Sequence, residues 1–290
     1  MSLFKKISFN VRHHLAQPRP MRSLAADVLA RTGCYRYVSF RRNGVRLRLR
    51  AAGLARLLWA EPGRRLDGEA FLTSFLHPGD TVVDVGSNVG THALLASRLV
   101  GPAGTVVAIE PHPATFAALE ENLRLNRVDN VIARRVAAGP EASEVCFSDR
   151  RDDDWNRVES TGAIAVPQNT LDEVCAEVGP VALLKIDIEG YELPCLRGAG
   201  KVLRRTECVL LEYWNEHTAR LGYGLADLVA LLGGLGFTGL MVEESGAEVR
   251  LRPAPAALDL SGLHHLAFVR VPARLHARLS RPNGAGLTRP

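Results

Sequence analysis

Thr81-Val-Val-Asp-Val-Gly-Ser-Asn-Val-Gly90, running directly into Thr91-His-Ala-Leu-Leu-Ala-Ser-Arg-Leu99, decides the fold. A short apolar run reaches Asp84 and Val85, turns through Gly86 and Gly90, and passes at once into a helical pattern. Glycine at these two positions lets the backbone turn sharply and lets a ligand approach the main chain closely. The free N–H groups at the start of the following helix favour a carboxylate or phosphate.

The same rhythm repeats downstream. Thr81–Val85, Thr105–Ile109, Val131–Arg135, Val181–Ile186, Cys208–Tyr213, Phe237–Val242 and Leu266–Val271 read as strands. Thr91–Leu99, Pro113–Leu125, Tyr191–Leu203 and Leu225–Leu235 read as helices between them. Fully apolar strands separated by helices are parallel strands buried on both faces, hence a doubly wound α/β sheet. Residues 140–168, with Asp149-Arg-Arg-Asp-Asp-Asp-Trp155, interrupt the rhythm and are expected to form a hairpin-and-loop insertion at the carboxyl edge.

Upstream, residues 35–50 largely alternate apolar and basic side chains around Asn43-Gly44, a hairpin signature. The expected division is a basic N-terminal extension over 1–65, an α/β domain over 66–271, and a basic tail over 272–290 that frays from about Pro272. Residues 1–65 carry a formal charge of +13, residues 250–290 carry +6, and the middle carries −14. An acidic body with a basic arm at each end suits docking to an acidic partner or an anionic membrane surface. Thirty-two of the 36 basic residues are Arg, which a codon bias of the source explains equally well.

At 290 residues, 47% hydrophobic and 23% charged, the chain can bury a sizeable core and is not a disordered sequence. Its longest uncharged stretch around Leu228–Val242 contains glycines and is shorter than the ~18–20 apolar residues that span a bilayer. Five scattered cysteines without a C-x-x-C pair argue against a disulfide framework or zinc knuckle. That usage suits a reducing compartment, and a cytoplasmic location is expected.

Twenty residues beyond Gly90, the second strand ends in Glu110-Pro-His-Pro. A carboxylate at that tip, beside the glycine turn, is placed to accept both hydroxyls of a ribose. Asn88 breaks the G-x-G-x-x-G dinucleotide pattern, and no Lys completes a phosphate-binding P-loop. Asp84 would repel a pyrophosphate but suits the ammonium of an amino-acid moiety. S-adenosylmethionine, with a ribose, an amino-acid end and a cationic sulfonium, fits best.

Together with Thr170-Leu-Asp172, Leu184-Lys-Ile-Asp-Ile-Glu-Gly-Tyr-Glu192 and Arg197-Gly-Ala199, these motifs resemble the FkbM family of S-adenosylmethionine-dependent methyltransferases over roughly residues 66–245. The resemblance implies a seven-stranded class I (Rossmann-like) sheet and methyl transfer to a hydroxyl of a sugar, polyketide or other secondary metabolite. It implies cofactor contacts from Asp84, Gly86, Asn88, Gly90 and Glu110, and Ser87 in the same loop and Asp187 at the strand-four signature are further expected contacts.

Asp187 follows a buried apolar strand at the rim where cofactor and substrate meet, and is the first candidate for general base or metal ligand. Glu212 at the end of the next strand and His217 beyond it follow as candidates. Two carboxylates on neighbouring strand tips could share a divalent cation, though no third ligand is evident, so the metal question stays open. Glu189 and Glu192 fit a charge pair at a helix start equally well. Lys185, inside an apolar strand, is expected to pair with a carboxylate. His92, just inside the first helix, is expected to pack or cap, with lining the pocket as the alternative, Cys195 to sit in the core, and Trp155 to shield substrate or lie exposed. No N/D-P-P-Y/F string follows the fourth strand, which argues against methylation of base amines. The leading expectation is therefore O-methylation of a small-molecule or glycan hydroxyl. The rivals are RNA methylation, disfavoured because the arm holds no RNA-binding module, and a non-catalytic cofactor-binding module.

Overall fold

The computed structural model describes residues 19–150, 155–254 and 262–280. Two strands, β1 (Ser39–Arg42) and β2 (Val45–Arg48), form the expected hairpin. It turns at Asn43 and Gly44, both at positive φ, as a two-residue hairpin turn requires. Then come β3 (Thr81–Val85), β4 (Thr105–Ile109) and β5 (Val131–Arg134). The insertion contributes a small separate sheet of β6 (Ala137–Ala138), β7 (Ser143–Phe147) and β8 (Ile164–Asn169). The main sheet resumes with β9 (Val181–Ile186), β10 (Thr206–Trp214), β11 (Thr238–Ser245), β12 (Glu248–Pro253) and β13 (Leu263–Val269).

The main sheet has eight strands in the order β12-β11-β13-β10-β9-β3-β4-β5. The block from β10 to β5 is parallel, and β13 runs antiparallel between β10 and β11. Seven of these strands are the expected ones, and β12 is an eighth that the sequence reading did not anticipate. It escaped because its residues alternate exposed and half-buried and include Arg250 and Arg252. A charged edge strand has no continuous apolar run.

Alternation along the central strands serves two cores. Val82, Val106, Leu183 and Leu210 pack with the helices Glu69–Phe75 and Thr91–Val100 on one face. Val83, Val107, Leu184 and Val209 pack with residues 193–203 and the helix Leu225–Gly234 on the other. The long helix expected over Tyr191–Leu203 is two short ones, Glu192–Arg197 and Gly200–Arg204. They part at Gly198, where a Cβ would lie 2.0 Å from the carbonyl oxygen of Gly139, so the chain bends to let the insertion pass.

The expected fraying from about Pro272 does not describe residues 272–279, which form a helix with Leu275 buried. Its Arg278 donates to Glu207 at 2.9 and 2.8 Å and to Asp80 at 2.8 and 3.3 Å. At the other end, the β1–β2 hairpin docks on the helix Pro113–Asn126. Backbone N–H groups of Arg46 and Arg48 donate to Asn126 and Asn122 at 2.7 and 2.8 Å. Three of the arginines here are answered within the chain, by Arg42–Glu69, Arg48–Glu121 and Arg56–Asp27. No helix among the described residues is long and apolar enough to cross a membrane.

Candidate active site

A cavity of about 240 Å³ opens at the carboxyl ends of β3, β4, β9 and β10. Gly86, Ser87 and Asn88 form one wall, Glu110 the next, and Asp187, Glu189 and Glu212 a third. Leu54, Leu66 and Asp67, from the basic N-terminal half, face it from above.

The glycine loop is shaped by the neighbouring strand ends. Gly86 and Ser87 donate their N–H groups to the Ile109 carbonyl at 2.9 and 3.0 Å. Gly86 adopts φ +82°, and a Cβ there would lie 1.9 Å from the Asp187 carbonyl oxygen. The close approach is therefore to the β9 tip. Gly90 at φ +90° faces Leu119 in the core and does not line the cavity. Asn88, left-handed at φ +48°, steadies itself by accepting the Val89 N–H at 2.6 Å.

Glu110 is buried on the cavity wall. One carboxylate oxygen accepts the Asn88 N–H at 3.0 Å and the other accepts the His112 N–H at 2.9 Å. Burial pushes its pKa up to about 7, against the pull of those two N–H groups. Each oxygen keeps a lone pair for a hydroxyl in the cavity.

Behind the wall lies a buried ion cluster. Cross-strand register places Asp84 beside Lys185. Lys185 Nζ stands 3.0 Å from Asp187 Oδ2 and 3.6 Å from Asp84 Oδ1. Asp84 is 1% exposed, is not part of the cavity lining, and neither of its oxygens accepts a hydrogen bond. Burial raises the Asp84 pKa. Burial opposes the charge of Asp187 too, but the Lys185 ammonium holds it well below the usual carboxylate range. Burial likewise opposes the Lys185 charge, and its two carboxylate neighbours nevertheless raise its pKa.

Glu212 is pushed up to about 11 by burial and by the Asp187 charge, so at neutral pH it holds a proton. Its cross-strand partner His265 places Nε2 at 3.7 Å. Ligand atoms of Asp187, Glu189 and Glu212 lie within 4.8 Å of one another, which supplies the third carboxylate the sequence did not reveal. Such a trio suits a divalent ion by donor type. Lys185 already stands at Asp187, however, so an ion there would compete with a built-in cation.

His217 does not line the cavity. Its Nδ1 lies 2.7 Å from Glu189 Oε2. Burial, then Asp187 and Glu192, push Glu189 up to about 8, whereas burial and nearby Arg220 and Arg157 push His217 down to about 4. At neutral pH the pair is a carboxylic acid donating to a neutral imidazole. Glu192 is structural: buried, it accepts from the Gly190 N–H at 3.0 Å and the Tyr223 hydroxyl at 2.9 Å.

His92 lines the cavity, the alternative to the packing or capping role favoured for it. Its Nε2 is buried without a hydrogen-bond partner, and burial, then Lys185, lower its pKa to about 3. A signal existed, because helical side chains lean toward the N-terminus and so over the preceding loop. Tyr191 and Phe147 on the cavity wall carried no such signal.

The strand order, with β13 antiparallel between β10 and β11, and a cavity at the carboxyl edge are those of the class I methyltransferase fold. A family model described as Methyltransferase FkbM domain matches residues 84–238, more than half of the sequence, and the chain belongs to this family. Its fold and family are those of S-adenosylmethionine-dependent methyltransferases. Hexuronic acid methyltransferase AglP of Haloferax volcanii is 31% identical over 137 residues, 46% of this chain and 55% of that protein. Methyltransferase 1 of Beauveria bassiana is 28% identical over 148 residues, 42% of this chain and 59% of that protein. The chain thus spans little more than half the length of these two relatives. 31-O-demethyl-FK506 methyltransferase FkbM of Streptomyces tacrolimicus is 33% identical over 201 residues, 56% of this chain and 74% of that protein. Among solved structures, precorrin-6y C5,15-methyltransferase of Geobacter metallireducens superposes with a TM-score of 0.41 at 14% identity, covering 69% of this chain and 87% of that one.

Proposed function

We propose that this chain transfers a methyl group from S-adenosylmethionine to a hydroxyl oxygen of a sugar, glycolipid or secondary metabolite. The observation that carries the reading is Glu110: a buried carboxylate on the wall of a cavity, beside the glycine loop, with a free lone pair on each oxygen. The residues present fit the cofactor. Glu110 suits a ribose diol, and the acidic group around Asp187 suits a sulfonium. The relative FkbM, a 31-O-demethyl-FK506 methyltransferase, supports an oxygen acceptor, and AglP, a hexuronic acid methyltransferase, supports a sugar-derived one.

When bound, the cofactor supplies an electrophilic methyl carbon on a cationic sulfur. The protein's task is then to align the acceptor oxygen with that carbon and to remove the hydroxyl proton. Asp187, ionised and held by Lys185, would accept the acceptor hydroxyl's hydrogen bond and take its proton. An oxygen being methylated becomes a far stronger acid than a carboxylic acid, so a weak, well-placed base suffices. Glu212 is already protonated at neutral pH and shares the Asp187 site, so the two titrate as a pair. His217 acts through Glu189.

Isothermal titration with S-adenosylhomocysteine tests the cofactor site. Hydrogen bonds to a charged group contribute about 1.5–3 kcal/mol each, so Glu110→Gln at pH 8 should weaken binding at least ~10-fold. Unchanged affinity rejects the assignment.

A further inference from the structure

The mouth of the cavity carries a feature that methyl transfer itself does not require. Trp155, 46% exposed, meets Trp214 edge-on at 6.0 Å and His217 at 6.2 Å, while the Trp214 and His217 rings lie 4.2 Å apart. Neighbouring Asn156 and Val158 line the cavity, as does Glu189, the partner of His217. The aromatic group therefore borders the opening.

Three guanidinium groups surround it. Arg220 donates to the carbonyls of His217 and Glu189 at 3.3 and 3.1 Å. Arg150 donates to the Trp155 carbonyl at 2.9 Å and also pairs with Glu159. Arg157 Nε reaches the same Glu159 oxygen at 3.0 Å. Among the described residues, the acidic groups acting on Arg157 include Glu159, already shared, and Glu189, held in its hydrogen bond to His217. Partial burial and the charges of Arg220 and Arg150 lower the Arg157 pKa. Glu159 offsets Arg150 and Arg157, and Arg220 meets carbonyl oxygens, so the three cations together favour a further anion at this mouth.

We propose that the acceptor is an anionic sugar, stacked by its ring on Trp155 and held by a carboxylate or phosphate at Arg157 and Arg220. This rests on the hydroxyl-methylation reading above. The planar donor fork of Arg receives either anion bidentately, and an exposed indole offers an apolar face with little entropy to lose.

The test uses the full chain saturated with S-adenosylhomocysteine and three probes, titrated by calorimetry: methyl glucoside, methyl glucuronide and glucose 6-phosphate. At about 50 mM salt at least one anionic sugar should bind ~10-fold more tightly than the neutral one, with the gap closing at high ionic strength. A preference for the glucuronide identifies a sugar acid, and the reverse identifies a phosphorylated sugar. Arg157→Gln with Arg220→Gln should erase the preference and leave S-adenosylhomocysteine affinity unchanged. The exposed single change Arg220→Gln should reduce it. Trp155→Ala should weaken all three probes that bind. Equal binding of all three, binding of none, or a preference that survives the double change overturns the proposal. Failure of the wild type to bind S-adenosylhomocysteine instead rejects the cofactor reading, so the two failures are distinguishable.

Discussion

Replacing Lys185 by Met keeps the length of the side chain and removes its charge, leaving Asp84 and Asp187 to face each other without a cation. The Lys185 and Asp84 side chains are 6% and 2% exposed, so water cannot substitute for the ammonium. Removing one partner of a buried pair costs about 3–5 kcal/mol. An independent route gives a similar figure. Asp84 can escape by taking a proton, which at pH 7 costs at most about 4 kcal/mol at 1.36 kcal/mol per unit from an ordinary pKa of about 3.9, an upper bound because burial already raises the Asp84 pKa in the wild type. At pH 4.5 the same escape costs only about 1 kcal/mol. The sign in the wild type is consistent with this window. The lowered pKa of Asp187 contributes stability that is lost only as pH falls below the usual carboxylate range, and the raised pKa of Lys185 contributes until strongly alkaline pH. Urea unfolding of Lys185→Met should therefore show a loss of up to about 4 kcal/mol at pH 7 that shrinks to about 1 or less at pH 4.5, out of a total near 5–15 kcal/mol. Adding Asp84→Asn should recover part of the neutral-pH loss. An equal loss at both pH values, or a loss below about 1 kcal/mol at pH 7, would refute electrostatic coupling across β3 and β9.

Because Glu110 sits near pH 7 and ribose hydroxyls donate to its ionised form, S-adenosylhomocysteine affinity should fall toward ~10-fold per unit as pH drops below 7 and level off above 8. Glu110→Gln should flatten the profile in calorimetry, whereas affinity that rises on acidification contradicts the role. Gly86→Ala would place a methyl group 1.9 Å from a backbone oxygen at a positive φ. Strain at such φ costs about 1–3 kcal/mol before the clash is counted, so melting temperature and cofactor binding should fall together. Wild-type melting with binding abolished would show that the glycine serves the ligand alone.

The parallel core was legible because each of its strands is buried on both faces, which leaves an unbroken apolar run in the sequence. That redundancy ended at the margins. β12 covers an edge with charge, the helix Pro272–Leu279 is held by Arg278 to Asp80 and to Glu207, and neither relation leaves a local pattern. Asp84 was read as a cofactor contact because it opens the glycine loop. Which way its carboxylate lies depends on β3 pairing with β9, a strand about a hundred residues later in the chain. That Arg42 and Arg48 of the basic arm pair with Glu69 and Glu121 leaves no trace in the sequence, because those carboxylates come close only after folding.

The string Lys185-Ile-Asp-Ile-Glu-Gly-Tyr-Glu192 shows where pattern reading reaches its limit. Period-two alternation sends Lys185 and Asp187 to one side and Ile186 to the other, so the ion pair follows from strand geometry alone. Beyond Asp187 the strand has ended and the alternation stops. Glu189 turns left-handed at φ +58°, Gly190 follows at +99° with the His217 carbonyl against it, and Glu192 folds back onto the loop's own N–H groups. Four charged side chains in eight residues thereby take different roles: buried cation, site anion, acid hydrogen-bonded to imidazole, and loop clasp. Composition marks all of them alike as a charged strand tip. What separates them is how deeply each is buried and which strand or loop arrives opposite, and both are properties of the assembled sheet. The protonation of the Asp187–Glu212 pair follows the same logic, since β10 brings the second carboxylate to the first and burial decides that only one of them is ionised at neutral pH.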